Sequence, residues 1–266
     1  MDLEALVVQA SAILDDAAAP FLAGHRADSA VAKKGNDFAT EIDLAIERQV
    51  VAALEAGTGI GVHGEEFGGT AVDSEWVWVL DPIDGTFNYA AGSPMAAMLL
   101  GLLHNGEAVA GLTWVPFAGQ RYTAVAGQPL MKDGAPQSML APVGLADSLV
   151  GVGTFTADSR GRFPGRYRLA VLERLSRVCS RLRMHGSAGI DLAYVADGIL
   201  GASVSFGGHV WDYAAGVALV CAAGGVVTDL AGQPWTTESR SALAAAPGAH
   251  AEVMKVLRAV GKPEDY

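Results

Sequence analysis

The chain has 266 residues, 51% of them hydrophobic, with 29 acidic against 18 basic side chains and a formal charge of −11. That much apolar residue excludes a disordered chain and suffices for one large core or two fused half-domains. The acidic balance excludes a broad nucleic-acid footprint, which needs clustered Lys and Arg, but it leaves phosphate substrates open because bound cations can supply local positive charge.

Apolar residues recur at helical spacing from Leu3 to about His25, ending near Gly24, and again from Asp43 to Ala56. Trp76–Leu80, WVWVL, predicts a buried strand stopped by Asp81-Pro82. Residues 95–103, 108–115 and 120–125 predict a strand meander, with Gly106 and Gly119 at its turns. Residues 133–148 contain Pro and Ser, are weakly patterned, and mark a soft internal boundary within a single 1–266 domain. Beyond it the elements alternate: a helix over Tyr167–Val178, a strand over Arg181–Met184, and a helix from Ser187 to about Ala196. A strand around Ala202–Phe206 follows, then a helix from Trp211-Asp212 to just before Gly224-Gly225. A strand at Val226–Asp229 and a helix over Ala249–Val260 complete the chain. The expected class is α/β, a layered sandwich of alternating helices and mixed and antiparallel sheets, antiparallel in the first half.

Cys179 and Cys221 form no CxxC pair and read as buried, small apolar side chains in a reducing compartment. Asp2 and Glu4 leave no basic leader region, and the longest apolar stretch, near Met95–Leu103, falls short of a membrane span. The expectation is a cytoplasmic protein with no membrane or nucleic-acid partner. No HExxH-like histidine pair is present, which argues against a zinc hydrolase.

The informative segment is Asp81-Pro82-Ile83-Asp84-Gly85-Thr86. A buried strand delivers Asp81 to its carboxyl end, Gly85 permits close backbone approach, and Thr86 can open a helical turn. Two carboxylates converging at such a corner suit hard, oxygen-ligated Mg²⁺, and the amides of Gly85 and Thr86 can face an anion. The same residues also make a good turn sequence. Gly64-Glu65-Glu66 reads alone as a solvated acidic loop, the Asp37–Asp43 segment as a helix cap, and Asp212 equally as a cap or a ligand.

Taken together, four segments decide between these readings. They are Thr40-Glu41-Ile42-Asp43, Gly64-Glu65-Glu66, Trp78-Val79-Leu80-Asp81-Pro82-Ile83-Asp84-Gly85-Thr86-Phe87-Asn88, and Trp211-Asp212-Tyr213-Ala214-Ala215-Gly216 followed by Ala223-Gly224-Gly225. In order and approximate spacing they resemble the motif set of the inositol monophosphatase family, across about residues 33–229. The surrounding stretches resemble its actinobacterial, inositol-1-monophosphatase-like branch. The resemblance implies a layered sugar-phosphatase-like fold and a Mg²⁺-dependent phosphomonoesterase, with myo-inositol 1-phosphate as first substrate. Histidinol phosphate and fructose 1,6-bisphosphate are alternatives on the same metal core. A non-catalytic regulatory protein is disfavoured, because the ligand set is complete.

By resemblance, one Mg²⁺ binds Glu65, Asp81 and the Ile83 carbonyl, a second binds Asp81, Asp84 and Asp212, and a third, weaker ion sits near Glu65. Mn²⁺ can substitute, while Ca²⁺ or Li⁺ inhibits. Asp43 and Thr86 orient the attacking water. Asp84, Gly85, Thr86, Ser187 and Ala188 touch substrate, although Ser187 and Ala188 also read as an ordinary helix start. Lys33 or Lys34 lies near the site. The partners implied are a small phosphorylated polyol or alcohol and a second copy in a homodimer. One position departs from the pattern. Where inositol-selective members carry a Glu seven residues before the Trp-Asp aspartate, this chain has Ser205, which weakens the expected ring contact. His209 is a further candidate for substrate contact.

Overall fold

The computed structural model describes residues 1–26, 30–32 and 38–266. Helix α1 (Leu3–Asp16) is capped by Asp2, whose carboxylate accepts the Ala5 N–H at 3.0 Å. The chain breaks at Ala17 and resumes as α2 (Ala18–Ala23), so the single helix expected over 3–25 is two. Pro20 accounts for the break, since it has no N–H to offer the preceding turn. Together the two helices form a 21-residue run of mean hydropathy 1.4, long and apolar enough by length and composition to cross a membrane. This run, not Met95–Leu103, is the longest apolar one, and its Val7, Ala10, Leu14 and Phe21 are buried in the protein core.

Strands β1 (Ala30–Ala32) and β2 (Phe38–Thr40) pair antiparallel ahead of α3 (Glu41–Thr58). An eight-stranded sheet follows, built from β3 (Val62–Gly64), β4 (Gly68–Gly69), β5 (Trp76–Asp84), β6 (Ala97–His104), β7 (Glu107–Val115), β8 (Gln120–Val125), β9 (Met131–Lys132) and β10 (Ala135–Pro136). Its order is β10-β9-β8-β7-β6-β5-β3-β4, and every pairing is antiparallel except β3 with β5. The short helix α4 (Thr86–Ala91) leaves the end of β5. Pro82 does not end β5 as expected. The strand runs on to Asp84, with a register shift between Asp81 and Asp84 that accommodates the missing N–H.

A second, five-stranded sheet contains β11 (Leu149–Val152), β12 (Arg181–Arg183), β13 (Ala202–Ser205), β14 (Val226–Thr228) and β15 (Ala242–Ala245), in the order β12-β11-β13-β15-β14. Around it lie α5 (Gly165–Val178), α6 (Ala188–Ala196), α7 (Val210–Ala222) and α8 (Ala249–Val260). The layers follow from side-chain alternation. On β6, Met98, Leu100 and Leu102 pack with α1 and α3, while Ala97 and Leu99 pack with α6 and α7. The α6–α7 layer is shared by both sheets, and α5 and α8 cover the far face of the second. A strand covered on both faces is apolar throughout, which is why β5 and β6 read as continuous hydrophobic runs. Gly111 brings α7 close: a Cβ there would meet the Ala215 carbonyl at 2.2 Å. The two cysteines are free thiols, but neither is fully buried: Cys179 is half-buried and Cys221 exposed.

Candidate metal and phosphate site

In a regular strand, residues three apart point to opposite faces. The register shift in β5 removes that constraint. One carboxylate oxygen each from Asp81, Asp84 and Asp212 lies within 4.8 Å of the others. Asp81 Oδ1 accepts the Ile83 N–H at 3.0 Å, which fixes the turn that carries Asp84. Asp84 is held from across the molecule by the start of α6, accepting from the Ser187 hydroxyl and from the Gly189 and Ala188 N–H groups at 2.7 and 3.3 Å.

Asp43 and Asp212 arrive by a shared device. Each is the third residue of its helix, and its carboxylate reaches back to the N–H of the capping residue. Thr40 caps α3, as the cap reading of the Asp37–Asp43 segment expects, whereas α7 is capped by His209 and not by Asp212 itself. Three helix N-termini, of α3, α6 and α7, thus hold three of the carboxylates. Their partial positive charge offsets some of the repulsion among the acids.

The offset is incomplete. Burial first, then the neighbouring charges of Glu65, Asp84 and Asp212, push the Asp81 carboxyl well above the usual range. Burial raises Asp84 to about 6 despite the opposing bonds from Ser187, Gly189 and Ala188. Burial likewise raises Asp43 to about 6, with Glu65 adding to it. Asp43 Oδ1 is buried and has no hydrogen-bond partner among the described residues. An all-oxygen donor set with raised carboxyls and an unsatisfied buried oxygen fits hard divalent cations.

The cleft around these groups is about 490 Å³ and is lined by Glu65, Asp81, Ile83, Asp84, Gly85, Thr86 and Asp212, with Phe87, His209 and Trp211 among its other residues. Glu65 shares the cleft without belonging to the tightest three-carboxylate group. The Thr86 hydroxyl donates to the Ile83 carbonyl at 3.0 Å. Gly85 has φ +85, and a Cβ there would meet the Met95 carbonyl at 2.7 Å, so this turn requires glycine. An adjoining pocket of about 280 Å³ shares Asp84, Gly186, Thr154 and Asp212 with the cleft and holds Ser187, Ala188 and Ser205. Ser187 caps α6 as well as bonding Asp84, so both readings of this residue hold together. The Ser205 hydroxyl donates to the Gly207 carbonyl at 3.0 Å and meets the Tyr213 hydroxyl at 2.8 Å. Lys33, Lys34 and Asp37 lie outside the described residues.

Glu47 and Arg168 escaped the sequence reading, and Asn88 entered it only as a motif residue without a role. Glu47, buried one turn beyond Asp43, accepts the Glu66 and Phe67 N–H groups at 2.9 Å each and so shapes the loop that carries Glu65. Gly64 is needed because a Cβ there would sit 2.1 Å from Glu47 Oε1. The signal was an acid on the buried stripe Ile46, Val50 and Leu54. Asn88 donates to the Met95 and His185 carbonyls at 2.8 and 2.7 Å, tying α4 to the turn before Ser187. Arg168, on α5, lines the adjoining pocket, and nothing in its helical spacing marks it.

The model of the inositol monophosphatase family matches residues 2–262. A protein of Mycobacterium tuberculosis named probable inositol 1-monophosphatase ImpA is 77% identical over 98% of this chain and 97% of its own length. The inositol-1-monophosphatase ImpA of Mycolicibacterium smegmatis is 69% identical, covering 99% of this chain and 96% of its own. Among solved structures, an inositol monophosphatase from Anabaena superposes with a TM-score of 0.83 at 26% identity, covering 100% of both chains. With residues of three of the four motif segments lining one cleft and the family pattern running nearly end to end, the chain belongs to the inositol monophosphatase family.

Proposed function

We propose that the chain hydrolyses small phosphate monoesters, myo-inositol 1-phosphate first among them, to the free polyol and inorganic phosphate. The observation that carries this reading is the convergence of Asp81, Asp84 and Asp212 within 4.8 Å beside the glycine turn at Gly85. Glu65, Asp81 and the Ile83 carbonyl would hold one Mg²⁺, and Asp81, Asp84 and Asp212 a second, with a weaker third near Glu65. Bound Mg²⁺ supplies charge neutralisation of the phosphate, a lowered water pKa and stabilisation of the departing alkoxide. Mn²⁺ is a substitute, and Ca²⁺ and Li⁺ are inhibitors.

The chain's own groups supply position. Asp43 presents its unpartnered Oδ1 to the attacking water, and as a carboxylate it can accept that water's proton. Thr86, whose proton is committed to the Ile83 carbonyl, keeps lone pairs to accept a second bond from the same water. The amides of Gly85 and Thr86 face the phosphate, and Ser187 and Ala188 keep Asp84 aimed. Water adds to phosphorus as the ester P–O bond breaks, its proton passing to Asp43, and the alkoxide takes up a proton from solvent and leaves as the alcohol toward the adjoining pocket. Ser205 and His209 flank that exit. The working unit is a homodimer, which light scattering of the purified chain would check.

The test is phosphate release from myo-inositol 1-phosphate with Mg²⁺ and after chelation. Release that needs Mg²⁺ and returns on its re-addition is expected. No release with Mg²⁺, or release indifferent to chelation, would sink the reading.

A further inference from the structure

The donors that hold Asp84 come from Ser187, Ala188 and Gly189, and a histidine and an aspartate bracket them in the chain. His185 Nδ1 lies 2.6 Å from Asp191 Oδ1, and the two side chains are 13% and 4% exposed. A carboxylate only accepts, so Nδ1 carries the proton, and the bond closes a side-chain bridge across the start of α6. Both ends of the bridge are fixed. The His185 carbonyl accepts the Asn88 side chain at 2.7 Å, and the ring packs edge-on against Tyr194 with centres 5.7 Å apart. The Asp191 N–H donates to the Ser187 carbonyl at 3.2 Å. Gly151 on β11 makes room for the carboxylate, since a Cβ there would sit 3.2 Å from Asp191 Cγ. Between the two ends the chain turns at Gly186, with φ +79. Asp191 is the only charged residue of α6, and its neighbours Ile190 and Leu192 are buried in the apolar core. Burial raises its carboxyl, and the bond from His185 works against that rise. A charge in such a place costs stability unless it is paired, so the bridge is what admits it.

We propose that His185 and Asp191 are positioning residues of the metal site: their bridge sets the direction of the Ser187 hydroxyl and the first amides of α6, and through them the orientation of Asp84 toward Mg²⁺. The inference rests on the proposed metal-dependent phosphatase reading and deepens it. Neither residue lines the metal cleft, so replacing either leaves every carboxylate ligand in place. Without the bridge, Asn88 holds this turn at the His185 carbonyl alone, and Gly186 leaves the backbone free to pivot about that point. The bridge is a second tie, from the far side of Ser187, and removes that freedom. Groups that orient a metal ligand typically change metal affinity by about 10- to 100-fold, and the bridge acts one bond further out, so the low end of that range applies.

The experiment compares the full chain as wild type, H185L, H185N and D191N. In H185N the side-chain amide takes the place of the imidazole Nδ1–H, and D191N keeps an acceptor without the charge. Amide hydrogen exchange over residues 186–190 is followed in chelator, Mg²⁺ affinity is measured by titration calorimetry, and the Tm of each protein is taken alongside. In H185L, exchange over 186–190 should quicken about 10-fold or more while that of α3 and α8 stays as it was, and Mg²⁺ affinity should fall about 10-fold. H185N should recover most of both losses, and D191N should fall between. Unchanged exchange and unchanged Mg²⁺ affinity in H185L would overturn the inference. Exchange quickened equally in every helix would make the pair a packing contact and overturn it too, as would failure of H185N to recover what H185L loses. Should H185L not fold, wild-type exchange and affinity in D191N would overturn it. A wild type that binds no Mg²⁺ would overturn the metal reading and this inference together, whereas Mg²⁺ binding without phosphate release would overturn the phosphatase reading alone.

Discussion

Asp81→Asn separates what the acidic cluster does for folding from what it does for metal binding. Asp81 is buried, and Asp84 and Asp212 each offer an oxygen within 4.8 Å. Two unit charges at that separation repel by about 3.5 kcal/mol at an effective dielectric near 20. The metal-free protein escapes part of this by taking up protons, and Asp212 is only partly buried, so the net relief on removing the Asp81 charge is about 2–4 kcal/mol. Asparagine keeps the Oδ1 that accepts from Ile83, and its NH₂ group donates to the surrounding carboxylates. For 266 residues the unfolding entropy makes 1 kcal/mol worth about 2 °C, so Tm in chelator at pH 8 should rise by about 4–8 °C. Mg²⁺ at a hundred times its Kd should add about 2.7 kcal/mol to the wild type and much less to D81N.

The sign of the pH dependence follows from the same groups. Asp43 and Asp84 titrate at about 6 folded against 3.8 unfolded, so the folded state holds more protons between these values. Their stabilising contribution is present below about pH 4 and is lost as pH rises through about 6. The metal-free wild type should therefore weaken between pH 5 and pH 8, and the gap to D81N should widen over that range. The assay is calorimetry of both proteins in chelator and in Mg²⁺ at pH 5, 6.5 and 8. If D81N in chelator at pH 8 is no more stable than the wild type, or if Mg²⁺ stabilises both equally, the electrostatic account fails.

Asp84→Asn should lower kcat by about 100-fold or more, since it removes ligand charge and sets an NH₂ group against the Gly189 and Ser187 donors; Asp15→Asn, at an exposed pair with Arg121, should stay within about 3-fold. Glu47→Gln removes one of two acceptors for the Glu66 and Phe67 amides, and should cost about 1–3 kcal/mol of stability and raise the Mg²⁺ concentration for half-maximal activity about 5- to 10-fold, read from an activation curve. Ser205→Glu should raise the kcat/KM ratio of inositol 1-phosphate to glycerol 2-phosphate about 10-fold or more; an unmoved ratio would assign the ring contacts to other residues.

The long elements were legible because their physics is local. The stripes that bury α3, α5 and α8 recur at helical spacing, and the doubly covered β5 and β6 are unbroken apolar runs. The strands β3, β11 and β15 were missed for a different reason. They are three or four residues long, and β15 is Ala-Leu-Ala-Ala, which has no β-branched side chain and is a strand only because β13 and β14 flank it. The motif carboxylates were legible as residues but not in their arrangement. No spacing rule places α6 against β5, so the bonds from Ser187, Ala188 and Gly189 to Asp84, across about a hundred residues, could come only from the fold. Arg168 was hidden for the same reason: its pocket is completed by residues of β5, α6, β13 and α7, far from it in sequence.

The acidic site also bears on why helices begin where they do. Asp43 and Asp212 sit at the third position of α3 and α7, and Asp84 receives the first amides of α6. Each helix start needs acceptors for its unpaired N–H groups, and each carboxylate needs donors once it is buried. The two needs are met by the same bonds, so the helix starts position these three carboxylates. What helix starts cannot supply is full charge: roughly half a unit each, near the surface of the turn, against whole negative charges nearly 5 Å apart. Asp43 and Asp84 remain raised to about 6, and Asp81 further, as the measure of the deficit. A cluster shaped in this way leaves negative charge unbalanced, and a divalent cation is the kind of group that would balance it.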